Sequence, residues 1–147
     1  MSRSEELVLF RRAPAGLPRG PLREFAGALR DALAVEREFV CLITDDRELR
    51  RLNRDFLGAG YATDVLSFPA EPGSESLGEI AISADRASAQ ARQFGHSLSD
   101  EIRILMLHGL LHLLGMDHET DRGEMARAEA RWRKKFNLPA NLIARAS

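Results

Sequence analysis

The segment "DEIRILMLHGLLHLLG" (100–115) constrains this 147-residue chain more than any other. Beyond its acidic first turn it is apolar around most of a helix circumference, so a helix here needs apolar neighbours on most sides. With two histidines inside it, the run falls short of the ~18–20 unbroken apolar residues of a membrane span. It is therefore expected at the centre of a globular core. Asp100 and Glu101 suit the positive end of a helix dipole, and Ser97 or Ser99 can cap its start. Gly115 is placed to end it in a left-handed conformation.

The flanking sequence supplies the surrounding faces. "ELVLFRR" (5–11) reads as a first strand and "RAPAGLPRG" (12–20) as a Pro/Gly loop. Pro21 then opens a helix over 21–34 whose Leu22, Phe25, Ala26, Leu29 and Leu33 recur at helical spacing. "EFVCLIT" (38–44) is a buried strand, and Thr44 or Asp45 can cap the charged helix "DDRELRRLNRDFL" that follows. After the glycine-rich "LGAGYA" (57–62) come a third strand, "TDVLSFPA" (63–70), the turn "EPGSES" and a fourth strand, "GEIAIS" (78–83). "ADRASAQARQFG" (84–95) is a helix stopped by Gly95, and an amphipathic helix over roughly 120–136 ends the ordered pattern. Two consecutive strands and three terminal helices make this an α+β chain. The expectation is a single domain over 1–147 with a small mixed four-stranded sheet and about five helices. Hydrophobic residues make up 44% of the chain, enough for such a core.

Charge excludes little. The formal net charge is -1, so the chain lacks the global cationic excess of many tight nucleic-acid binders, and an RNA partner would need a local patch. Cys41 stands alone, which excludes an internal disulfide and fits a reducing cytoplasm. "MSRSEELVLFRR" has no secretion-signal pattern, and a cytoplasmic protein free of membrane segments is expected.

Three of the four histidines, His108, His112 and His118, crowd into "HGLLHLLGMDH". On a helix the first two share one face, ~5–6 Å apart, which lets two imidazoles converge on one ion. A reversal at Gly115 then returns His118 to the same face as a third ligand. A lone histidine on an apolar face is usually a hydrogen-bonded boundary residue. Three of them around a reversal point to metal, because ligation removes the cost of burying imidazoles among leucines. The metal site is thus expected on the central apolar helix and the turn after it. Three neutral nitrogens without a thiolate leave a fourth position for water, the pattern of a catalytic rather than a structural site. Zinc proteases share the spacing as HExxHxxGxxH, but their general-base glutamate is here Gly109. A protease-like hydrolase is the weaker alternative.

"HGLLHLLGMDHE", with "TDVLSFP" and "GEIAIS" upstream, resembles the YbeY family of bacterial rRNA-maturation endoribonucleases over about residues 38–130. The resemblance implies an α+β fold in which His108, His112 and His118 bind one metal ion, usually zinc. It also implies a single-strand-specific endoribonuclease acting in 16S rRNA 3′-end maturation and ribosome quality control. Its partners would be single-stranded RNA, the rRNA precursor and the ribosomal small subunit. Three positions depart from the family pattern: Leu57 stands where many members carry a phosphate-contacting arginine, Ala62 where proline is common, and Met116 where tyrosine is common. A noncatalytic, metal-stabilised assembly factor that binds rRNA is the alternative kept open by Leu57.

Other residues are weighed beside these. Asp117, next to His118, is either a catalytic or ligand-orienting carboxylate or an ordinary turn aspartate. Arg47, Arg51 and Arg54 share one stripe of the second helix; they are candidate phosphate binders, with Arg54 a candidate catalytic stand-in for the arginine missing at Leu57, against a solvated helix face. Strand alternation puts Val65, Ser67 and Pro69 on one side and Asp64, Leu66 and Phe68 on the other, so Thr63, Asp64 and Ser67 cannot all line one cleft. In "RWRKKF" (131–136) Trp132 reads as a packing anchor, His96 as a loop or cap residue, and Cys41 as core.

Overall fold

Parallel strands need crossover connections, and the first half of the chain supplies two. The structure, a computed structural model, describes residues 7–34, 37–58, 63–117 and 119–140. Its elements run β1 (Val8–Phe10), α1 (Arg19–Leu29), β2 (Glu38–Thr44), α2 (Asp46–Leu57), β3 (Val65–Pro69), β4 (Ser76–Ser83), α3 (Ala84–Phe94), α4 (Leu98–Leu113) and α5 (Glu124–Lys135). The sheet order is β1-β2-β4-β3. β1 and β2 pair in parallel across α1, and β2 and β4 pair in parallel, Cys41 opposite Ile80. β3 returns antiparallel to β4, with Ser67 opposite Ile80. This is the mixed four-stranded α+β arrangement expected.

Alternation along β3 and β4 divides the molecule. Ile80 and Ile82, with partly buried Val65, belong to the main core around α4. Leu66 and Ala81 point to the other face, where Leu49 of α2 buries against them and Leu52 and Phe68 close the edge. α1 contributes Leu22, Ala26 and Leu29 to the main core, α3 contributes Ala84 and Ala87, and α5 contributes Met125 and Ala128. Along α4, residues Ile102, Ile104, Leu105, Met106, Leu107, Leu110, Leu111 and Leu113 are all buried. Each such side chain contributes about 1.5–3 kcal/mol relative to exposure, so α4 is the main apolar investment of the fold. Among the described residues no helix is long and apolar enough to cross a membrane.

Helix ends follow local chemistry. Asp45, rather than Thr44, caps α2 by accepting the amide of Glu48 at 2.9 Å. Ser97, rather than Ser99, caps α4 through the amide of Asp100 at 3.0 Å. The helix expected over 21–34 is α-helical to Leu29 and then widens into a π-turn over Arg30–Ala34. The last helix starts at Glu124 rather than near 120, because the Asp121 carboxylate accepts the amides of Gly123 and Met125, each at 2.8 Å. β4 begins at Ser76, two residues before the expected 78. Residues 5 and 6 of the expected first strand lie outside the described residues.

Gly115 ends α4 as its position suggests. Its φ is +97°, its amide reaches the His112 carbonyl at 2.9 Å, and the Met116 amide reaches back to Leu111 O at 3.1 Å. This is the helix-ending pattern that favours glycine, and a Cβ there meets conformational strain rather than a clash. Gly115→Ala is therefore expected to cost about 1–3 kcal/mol, read as a lower urea midpoint at unchanged slope.

Candidate functional site

His108 and His112 interrupt the buried run of α4 on one face, both partly exposed while Leu107, Leu111 and Leu113 are buried. Their Nε2 atoms stand 3.0 Å apart, with ring planes at 71° and centroids 4.7 Å apart. The far nitrogen of His108, Nδ1, meets Oε1 of Glu129 on α5. The other carboxylate oxygen of Glu129 lies 3.6 Å from Nη2 of buried Arg133, one turn further along α5. Among the described residues no group of three or more His, Cys, Asp or Glu side chains is gathered for a metal. The expected third ligand, His118, lies outside the described residues.

Glu129 and Arg133 were absent from the sequence-based candidates. Their signal was nevertheless present: Met125, Ala128, Glu129, Trp132 and Arg133 form an i, i+3, i+4, i+7, i+8 stripe, so two charges sit on the face that α5 turns inward. "RWRKKF" thus divides. Arg133 is buried beside Glu129, Lys134 and Lys135 are exposed, and Trp132 stacks on Phe136 at 5.9 Å as a packing anchor.

Gly109 lies against the sheet. A Cβ at this position would stand 2.8 Å from Cγ2 of Ile80, closer than real Cβ contacts, and the Gly109 carbonyl accepts the Ser67 hydroxyl of β3 at 3.0 Å. The residue after the first histidine therefore looks into packed protein. A glutamate there would press on Ile80, so this position is built for packing rather than for the general base of the zinc-protease pattern. Ser67 braces the helix carrying the histidines, while Asp64 contributes its backbone carbonyl to the Ser83 amide at 2.9 Å.

The remaining candidates are placed elsewhere. Asp117 is exposed on the turn after α4, and its Oδ1 accepts the Glu119 amide at 3.0 Å, the geometry of a turn aspartate. Arg47, Arg51 and Arg54 belong to α2, and the sheet stands between that helix and α4. Arg51 donates to buried Glu48 at 2.8 Å and to Asp55 at 3.4 Å, Arg54 approaches Asp55 at 3.4 Å, and Arg47 is exposed. The structure thus does not bring this stripe to the histidines. Hydrogen bonding from Arg51 holds the Glu48 carboxyl below its ordinary range, outweighing the opposing effect of burial, with Arg11 and Thr44 adding to it. His96 has a partner that sequence spacing concealed: its Nε2 lies 2.6 Å from Oε1 of fully buried Glu101, whose Oε2 accepts Gln90 at 2.7 Å. It ties the end of α3 to the first turn of α4.

The model of the family described as Endoribonuclease YbeY matches residues 22–137 of this chain. The chain belongs to the YbeY family. A YbeY relative from Solibacter usitatus is 59% identical, covering 94% of this chain and 92% of its own length. Another, from Koribacter versatilis, is 47% identical with 95% and 91% covered. The solution structure of TM1509 from Thermotoga maritima is similar at a TM-score of 0.56 and 25% identity, covering 93% of this chain and all of that one. Against the YbeY pattern, Leu57 lies exposed on the last turn of α2, and Ala62 lies outside the described residues.

Two outcomes follow from these contacts. Gly109→Glu is expected to lower stability by at least about 1–3 kcal/mol through overpacking against Ile80, measured by urea unfolding, and to confer no casein hydrolysis. Glu48, with its folded value depressed, contributes stability that is present above its unfolded value of ~4.3 and is lost as pH falls through the lower folded value. Glu48→Gln should therefore flatten the acid limb of stability against pH, and an unchanged limb would show that the Arg51 contact carries no such linkage.

Proposed function

We propose that this chain is a zinc-dependent, single-strand-specific endoribonuclease that matures the 3′ end of 16S rRNA in the cytoplasm. Its substrate would be the rRNA precursor, met on the ribosomal small subunit. The observation that carries the reading is the paired Nε2 atoms of His108 and His112, 3.0 Å apart on the open face of α4. Two nitrogens at ~2.0–2.1 Å from one tetrahedral ion stand roughly 3.3–3.4 Å apart, so the pair fits an ion within a few tenths of an ångström. The name Endoribonuclease YbeY, carried by the relatives from Solibacter usitatus and Koribacter versatilis, supports RNA as the substrate.

In this reading His108 and His112 would hold the ion together with His118, three residues beyond Gly115 in the sequence. When bound, the ion supplies Lewis-acid polarisation of a phosphoryl oxygen and a more acidic water. The chain's own residues do the rest. Glu129 of α5 holds His108, Ser67 braces α4 from β3, and buried leucines flank the pair along α4. Asp117, beside His118 in the sequence, would be the candidate carboxylate for a proton.

One observation favours a second reading. The position of the family arginine is Leu57, and the α2 arginines lie across the sheet, so neither supplies a guanidinium for the transition-state charge beside the histidine pair. Losing one such donor costs about a hundred- to a thousandfold in rate. A noncatalytic factor that binds rRNA and keeps zinc for stability would tolerate that loss.

The test joins metal analysis to cleavage of an end-labelled single-stranded 16S 3′-end RNA, with and without chelator. The native chain should hold about one equivalent of zinc and cleave in a chelator-sensitive way; His112→Ala should fall well below that stoichiometry and lose cleavage. Full zinc in His112→Ala would refute the ligand set. Binding without cleavage by the native chain, with cleavage gained by Leu57→Arg, would establish the noncatalytic reading.

A further inference from the structure

We infer that Glu129 is a positioning residue for the histidine pair, setting the tautomer and aim of His108, and that Arg133 holds Glu129 in that task. The argument starts from proton count. A carboxylate accepts and cannot donate, so the ring nitrogen that meets Oε1 of Glu129 must carry the hydrogen. That nitrogen is Nδ1. In neutral His108 the lone pair is then on Nε2, the atom that faces Nε2 of His112 at 3.0 Å. The contact therefore selects the one neutral tautomer able to ligate from the open side of α4. It also locks the ring, since an imidazole gripped at Nδ1 by a different helix cannot turn about its Cβ–Cγ bond without breaking the contact.

Glu129 acts through the ring and not on the open position itself, because Nδ1 and Nε2 lie on different edges of the imidazole. Its aim has its own support. Oε2 stands 3.6 Å from Nη2 of Arg133, and both residues sit on the inward stripe of α5, with side-chain exposures of 18% and 9%. A charge placed this deep on an otherwise apolar face needs a compensating partner. The guanidinium supplies one and holds the second oxygen away from His108, leaving Oε1 for Nδ1.

This inference rests on the reading of His108 and His112 as zinc ligands, and the experiment separates the two. Zinc affinity is measured by competition with a chromophoric chelator for the native chain, Glu129→Ala, Glu129→Gln and Arg133→Met. In parallel, nitrogen-15 NMR of the metal-free proteins reports which ring nitrogen of neutral His108 is protonated. Removing such an outer carboxylate typically weakens metal binding ~10–100-fold. Glu129→Ala should show that loss, Glu129→Gln a smaller one because its amide oxygen still accepts from Nδ1, and Arg133→Met a loss between native and Glu129→Ala. In the native chain Nδ1 of His108 should be the protonated nitrogen, and in Glu129→Ala the two tautomers should mix.

Zinc affinity within twofold of native in both Glu129 variants, or a native His108 protonated at Nε2, would overturn the inference. If Glu129→Ala does not fold, the graded loss in Glu129→Gln and the native tautomer decide it. A native chain that binds no zinc but keeps the Nδ1–H tautomer, lost in Glu129→Ala, would sink the zinc reading and leave the positioning role standing.

Discussion

A helix with apolar side chains around nearly its whole circumference has to be enclosed, and the burial of α4 organises everything else. It needs a sheet on one side and helices on the others, and β3, β4, α1, α3 and α5 supply them. It also needs one place where its backbone comes close to the sheet. Gly109 provides that place: without a side chain it lets the helix settle on Ile80, and its carbonyl takes the Ser67 hydroxyl. The same seating leaves the neighbouring polar positions, His108 and His112, partly exposed. The partly exposed histidine pair and the close seating of Gly109 on the sheet are therefore two consequences of a single helix orientation.

The sheet also sorts charge. On the α2 side, buried Glu48 is satisfied by Arg11 at 2.9 Å, Arg51 at 2.8 Å and Thr44 at 3.2 Å. On the α4 side, Glu129 lies between His108 and Arg133. In each case a carboxylate withdrawn from water is held by at least one guanidinium and one further donor: two guanidiniums and a hydroxyl for Glu48, one guanidinium and an imidazole for Glu129. Leaving such a buried charge wholly unmatched would cost several kcal/mol, which is the physical reason each carboxylate is paired. The two clusters differ in what they face. The first ties α2 to the strands beneath it, while the second ends on an imidazole whose other nitrogen faces His112.

Much of this was legible in the residues. The four strands and five helices follow from period and punctuation, and Ser97, Asp45 and Gly115 do the terminal work their chemistry suggests. The i, i+4 spacing of His108 and His112 is enough to pair them, because helix geometry alone sets that contact. What spacing could not carry was contact between elements. Arg51 and Arg54 looked available because a helical stripe says nothing about which face of a sheet it rides, or that Glu48 lies beneath it. His96 looked solitary because Glu101 meets it only where α3 turns into α4. Glu129 was hidden for the same reason, twenty-one residues from the histidine it touches.

The solitary thiol has a practical meaning that follows from where β2 lies. Cys41 sits in the middle of that strand, fully buried, with Val8 of β1 on one side and Ile80 of β4 on the other, and burial pushes its ionisation far above the ordinary thiol range. As a thiolate is the reactive form, the folded chain offers thiol-directed reagents no accessible thiolate at Cys41. Modification must wait until the central strands part. The rate at which Cys41 is labelled is thus a built-in clock for opening of the sheet, available in the native chain without adding a probe.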